Sequence, residues 1–270
     1  MGTFVRQPAV AGRFYPGKPE TLLHDLRIYT AANGEKIGAL GCIVPHAGYM
    51  YSGPIAGAVY ARIDLPRRFI ILCPNHTGMG APLAILSQGR WLTPLGEASV
   101  DTKLATALKE EFEPLSEDAG AHLHEHALEV QLPFLQSLLR DFSFVPITVG
   151  VGRYEVLAAL GEAMAKCLSA QPDKVLIIAS SDMNHYESDA VTRAKDTKAI
   201  EQILALDPAG LYEAIQRENI SMCGYGPAVA MLTAARLLGA TSAQLIKYGT
   251  SGDVSGDRDL VVGYAGIIVH

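Results

Sequence analysis

A chain of 270 residues, 49% of them hydrophobic and 19% charged, can bury a sizeable core, and no linker-like tract divides it. A single domain over residues 1–270 is therefore expected. The formal net charge is −6, from 22 Lys and Arg against 28 Asp and Glu, and the scattered cations form no basic stripe, which excludes a nucleic-acid partner.

In chain order, a helix is expected over 19–30, a strand over Leu40–Val44, a helix over Ile55–Arg62 and a strand over Phe69–Cys73. Helical periods follow at Thr102–Phe112 and His126–Arg140, then a strand at Phe144–Val149, a helix at Tyr154–Ala170 and a strand at Val175–Ala179. Helices over Asp189–Ala205, Pro208–Glu218 and Pro227–Leu238 precede strands at Gln244–Tyr248 and Val261–Val269. Ser87–Ser99, Leu115–Glu125 and Ser251–Asp259 lack a clear period and read as loops within one domain. Apolar strands alternating with amphipathic helices predict an α/β domain, its mainly parallel or mixed central sheet covered by helices on both faces. The first residues lack a charged segment followed by an apolar run, and no stretch is apolar for long enough to span a bilayer. A cytoplasmic location with no membrane partner is expected.

Three strands end in the same way: Val44-Pro45-His46, Cys73-Pro74-Asn75-His76, and Ala179-Ser180-Ser181-Asp182-Met183-Asn184-His185. Ligands of open α/β sheets bind outside the carboxyl ends of the strands, so three histidines there can converge on one cleft. Neutral imidazole is the commonest transition-metal ligand, and His46 and His76 would supply half of an open coordination shell. Asp182 shares a loop with His185 and can orient an imidazole. His126 and Glu129 lie one helical turn apart, so both can face the cleft.

Other patterns carry less. His122-Leu123-His124-Glu125-His126 fits the H-x-x-E-H arrangement of inverted zinc peptidases, but Gly120 precedes it and the apolar period begins only at Ala127. It reads as a loop entering a helix. Gly150-Val151-Gly152 follows a strand, yet Glu155 stands where a dinucleotide fingerprint has its third glycine and would repel a pyrophosphate. Cys42, Cys73 and Cys167 sit in apolar runs and read as packed thiols. Cys223 differs, lying in the turn-rich Met222-Cys223-Gly224-Tyr225-Gly226-Pro227.

Taken together, Pro45-His46-Ala47-Gly48-Tyr49, Pro74-Asn75-His76, Glu125-His126-x-x-Glu129-x-x-Leu132-Pro133, Ser180-Ser181-Asp182-x-x-His185, Cys223-Gly224 and Tyr248-x-Thr250-Ser251-Gly252-Asp253 resemble the Memo family. That family is also called AmmeMemoRadiSam system protein B, and the match runs in order over nearly the whole chain. The resemblance implies a fold akin to the class III non-haem iron extradiol dioxygenases (LigB-like), whose iron is held by two histidines and a carboxylate. It implies that His46, His76 and Cys223 hold a metal, the cysteine replacing the carboxylate. His126 and His185 then fall where the dioxygenases keep acid/base histidines, with Asp182 or Glu129 to orient them.

A divalent or redox metal is expected as cofactor, iron first, although a thiolate ligand shifts preference toward copper or zinc. Beside metal-bound imidazoles, Cys223 should have a lowered pKa and be the most reactive of the four thiols. The expected function is a redox or oxidase reaction on a small molecule. The alternative is a non-catalytic module that binds a peptide or protein in the same cleft, and the family's systematic name suggests a radical-SAM partner protein.

Overall fold

The computed structural model of the protein describes residues 4–31 and 34–270. The chain begins with strand β1 (Val5–Arg6), helix α1 (Pro19–Tyr29), β2 (Gly41–Val44), α2 (Tyr49–Arg62) and β3 (Arg68–Pro74). Next come β4 (Leu83–Ile85), β5 (Arg90–Thr93), β6 (Gly96–Val100), α3 (Thr102–Glu111), β7 (Ser116–Glu117) and the single turn α4 (Gly120–Leu123). A 3₁₀ turn at Glu129–Gln131 leads into α5 (Leu132–Leu138), followed by β8 (Ser143–Val149), α6 (Tyr154–Ser169), β9 (Val175–Ser180) and β10 (His185–Glu187). The remainder is α7 (Asp189–Leu204), α8 (Pro208–Arg217), α9 (Tyr225–Leu237), β11 (Ala243–Thr250), α10 (Gly252–Ser255) and β12 (Val261–Val269).

Strand β3 runs through the middle of one mixed sheet, parallel to β8 on one side and to β9 on the other. Beyond β9 lies parallel β2, and beyond that antiparallel β12, which also pairs with β11 and β10. Because side chains alternate along a strand, the sheet has two apolar faces. Ile43, Ile70, Leu72 and Ile177 pack under residues of α3, α6, α7, α8 and α9. Cys42, Val44, Phe69, Ile71 and Ile178 pack under α1, α2 and α5. This is the expected α/β domain covered on both faces, and Cys42, Cys73 and Cys167 are buried as free thiols.

Three local expectations are corrected. Residues 87–99 are not a loop but carry most of the antiparallel β5–β6 pair, whose inward residues Trp91, Thr93 and Ala98 are buried. Helix α2 begins at Tyr49 and continues through Pro54, whose ring removes only one N–H from the ladder. The segment from His126 is not a continuous helix, because regular helix begins only at Leu132, with Pro133 in its first turn. Among the described residues no helix is long and apolar enough to cross a membrane.

Candidate metal and acid/base site

The parallel strands β2, β3 and β9 all deliver their carboxyl ends to the same edge of the sheet. Pro45 has no N–H to extend β2, and the freed backbone N–H groups of His46 and Ala47 both donate to Asp182 Oδ1, at 2.8 and 3.3 Å. Asp182 therefore orients the His46 backbone, and its Oδ2 stands 3.9 Å from His46 Nε2. The result is a cavity of about 610 Å³ lined by His46, His76, His126, Asp182, His185 and Cys223, with Phe14, Tyr186, Ser221 and Tyr264 around them.

Hydrogen bonds fix the proton positions on the rings. Ser180 Oγ has one proton, donated to the Ala127 carbonyl at 2.6 Å, and it accepts from Gln131 Nε2 at 2.9 Å. Its 3.0 Å contact with His46 Nδ1 must then be donated by the ring. The Nε2 lone pair of His46 is left facing Cys223 Sγ, 3.2 Å away. His76 Nδ1 lies 2.9 Å from Glu125 Oε1, an acceptor only, so it too donates, and in the neutral ring the lone pair is on Nε2. His185 donates Nδ1–H to the Ser221 carbonyl at 2.9 Å, while its backbone N–H bonds Ser221 Oγ at 2.7 Å. His126 stacks on His76 with ring centroids 4.8 Å apart and meets Phe14 at 4.7 Å on its other flank.

Ligand atoms of His46, His76 and Cys223 all lie within 4.8 Å of one another. Burial and the neighbouring His76, His126 and His185 hold His46 well below the usual imidazole pKa. Burial likewise lowers His126 and His185. These rings are neutral at pH 7, the state in which nitrogen binds a metal. Two such ligands of a single zinc-sized ion would stand ~3.6 Å apart for nitrogen and sulfur at tetrahedral angles, close to the observed separation. The donor set thus fits a soft or borderline transition metal. Without one, burial and then the Asp182 carboxylate push the Cys223 thiol up. The lowered pKa expected of Cys223 is not a property of the metal-free cavity. Burial raises Asp182 to about 7 despite the two backbone N–H groups on it.

Glu129 does not join these residues. Its fully buried carboxylate pairs with Arg6 Nη1 at 2.6 Å and accepts from Ala9 N, Val10 N and Tyr15 Oη, none of which lines the cavity. The spacing from His126 misleads because residues 126–131 make only an isolated turn, closed by Val130 N–H on the His126 carbonyl, and then a 3₁₀ turn, rather than regular helix. His122 is also elsewhere, fully buried and edge-on to Trp91, with neither ring nitrogen bonded. The peptidase-like pattern therefore brings no His122–His126 pair to the cavity. Conversely, Glu125 appears in the sequence reading within that pattern and within the family motif but is given no role there, yet it bonds His76. Phe14, Tyr186, Ser221 and Tyr264 carry no sequence signal that would have found them.

Comparison with known proteins identifies the family. The sequence profile of the Memo-like protein family matches residues 6–268. A MEMO1 family protein of Methanosarcina mazei is 45% identical over 268 residues, covering 98% of this chain and 99% of its own. One from Methanothermobacter thermautotrophicus is 42% identical over 273 residues, covering 97% and 99%. One from Archaeoglobus fulgidus is 45% identical over 265 residues, covering 98% and 99%. Among solved structures, an uncharacterized protein of Escherichia coli K12 superposes with a TM-score of 0.57 at 10% identity, covering 84% of this chain and 98% of that one. At that identity the likeness speaks for the fold alone.

Proposed function

The chain belongs to the Memo-like protein family, and from that premise we propose that its cavity is a metal centre serving a redox or oxidase reaction on a small organic molecule. The observation that carries the proposal is the meeting of one ring nitrogen each from His46 and His76 with the Cys223 sulfur, all within 4.8 Å, in a cavity of about 610 Å³. His46, His76 and Cys223 would hold the ion, iron before copper or zinc. When bound, such an ion supplies electron transfer or polarises a substrate oxygen.

The chain's own residues supply the proton chemistry. Loading requires Cys223 to lose its proton, and Asp182, raised to about 7 beside it, is a carboxylate able to exchange a proton near neutral pH. His185 presents Nε2 as an acceptor because Nδ1–H is spent on Ser221. His126 lines the same cavity, stacked on His76 and in contact with Phe14. Two proton-handling imidazoles thus line the space where a substrate would sit.

An anaerobic iron(II) titration of the metal-free protein tests this. About one ion per chain is expected for the wild type, and strongly reduced uptake for Cys223→Ala. Equal and negligible uptake by both would end the proposal. A second reading, a module that binds peptides without turnover, draws support from an adjoining cavity of about 460 Å³ lined by Tyr29, Tyr49 and Met50, which shares Phe14 with the first. Oxygen consumption with a panel of phenolic compounds and iron favours the enzyme. Stoichiometric peptide binding with no turnover favours the module.

A further inference from the structure

We propose that Glu125 is the positioning residue of this cavity, committing His76 to carry its proton on Nδ1 so that Nε2 is offered inward. Its consequence for metal affinity rests on the reading of the site as a metal centre. Glu125 is fully buried, and every contact of its carboxylate is with a donor. Oε2 accepts the His76 backbone N–H at 2.6 Å, while Oε1 accepts His76 Nδ1–H and the Ala127 N–H, both at 2.9 Å. His126 Nδ1 stands 3.5 Å from the same Oε1. One carboxylate therefore grips His76 by both backbone and ring and touches the ring stacked on it.

The chemistry admits no substitute. A glutamine must turn an NH₂ group toward one of those N–H donors, which leaves two donors face to face. An aspartate falls short by a C–C bond, about 1.5 Å. Glu125 is also held from behind, because Arg6 donates Nη2–H to the Glu125 carbonyl and Nε–H to the His122 carbonyl, each at 2.7 Å. The carboxylate cannot follow His76 if the ring swings, so the ring must come to it. A buried negative charge on Nδ1–H also makes Nε2 a stronger donor to a cation.

The test uses metal-free protein with ¹⁵N-labelled histidine, read by long-range ¹H–¹⁵N NMR above the imidazole pKa, and a zinc(II) titration. Wild-type His76 is expected to be protonated on Nδ1 alone. In Glu125→Gln it should shift to a mixture or to Nε2–H, with zinc bound about 10–100-fold more weakly. His46, whose proton goes to Ser180, should keep its tautomer in the variant and report an intact cavity. An Nε2–H signal for His76 in the wild type overturns the proposal, whether or not the variant folds. So does a variant that keeps both tautomer and affinity. A wild type with the expected tautomer that takes no zinc and no iron sinks the metal reading and leaves Glu125 as the residue that sets the ring.

Discussion

On one side of the cavity, His46 and His76 are fixed from behind by Ser180 and Glu125, two groups that are buried and bonded in their own right. On the facing side, His185 sits on the half-exposed strand β10 and its ring is held by one acceptor, the Ser221 carbonyl. Tyr186 follows it at φ 59°, with 73% of its surface in solvent. The first side is over-determined and the second is strained and open. On the proposed reading as a metal centre, the His46 and His76 side gains from fixed geometry because a bound ion tolerates little misplacement. A wall that admits a substrate has room to adjust, and strain at such a rim costs ~1–3 kcal/mol that surrounding contacts must offset.

The largest expected effect breaks the fixed side. Arg6 and Glu129 are both fully buried and bonded to each other, so Arg6→Ala leaves an uncompensated charge in the core. Destabilisation of about 3–5 kcal/mol is expected in urea titrations. A loss under about 1 kcal/mol would mean that this side is no more firmly built than the other.

The support behind the open side is tested by pH. Asp196 accepts Asn184 N–H at 2.9 Å and Tyr248 O–H at 2.7 Å, and burial raises it from 3.8 to about 6. Its folded pKa lies above its unfolded one, so the folded state binds more protons between those values. Stability contributed by this group is therefore greatest at acid pH and falls as pH rises from about 4 to about 6. Asp196→Asn should flatten that part of the stability profile, and an unchanged slope would show that the carboxylate is not the source.

The smallest effect is expected at Tyr186. Glycine adopts a positive φ freely, so Tyr186→Gly trades relieved strain against a more flexible unfolded chain. Stability should stay unchanged or rise by up to about 1 kcal/mol. A clear loss in thermal unfolding would show that the tyrosine ring packs more tightly than its exposure implies.

Much of the fixed side was legible beforehand. The apolar runs ending at Val44, Cys73 and Ala179 announce parallel strands, and the Pro-His and Pro-Asn-His endings of the first two announce where the cavity histidines emerge. Cys223 was legible only through family resemblance, since its turn-rich surroundings give no period. Glu129 misled because a spacing of three implies a helical face only where a helix exists. Its true partner, Arg6, lies 123 residues away, and no local pattern encodes such a pairing. Glu125 stood in the family motif without a role, because its bond to His76 spans 49 residues and no local spacing encodes it. The β5–β6 hairpin escaped because its strands are too short for their alternation to stand out from loop sequence.

The reach of Arg6 bears on how the molecule comes into being. Its guanidinium joins the first strand to carbonyls 116 and 119 residues downstream, and such distant contacts are entropically costly to close early in folding. On a growing chain, the strand waits without a counterpart until the middle of the polypeptide has been made. The cavity's lining, which runs from Phe14 to Tyr264, is complete only when nearly the whole chain has been made.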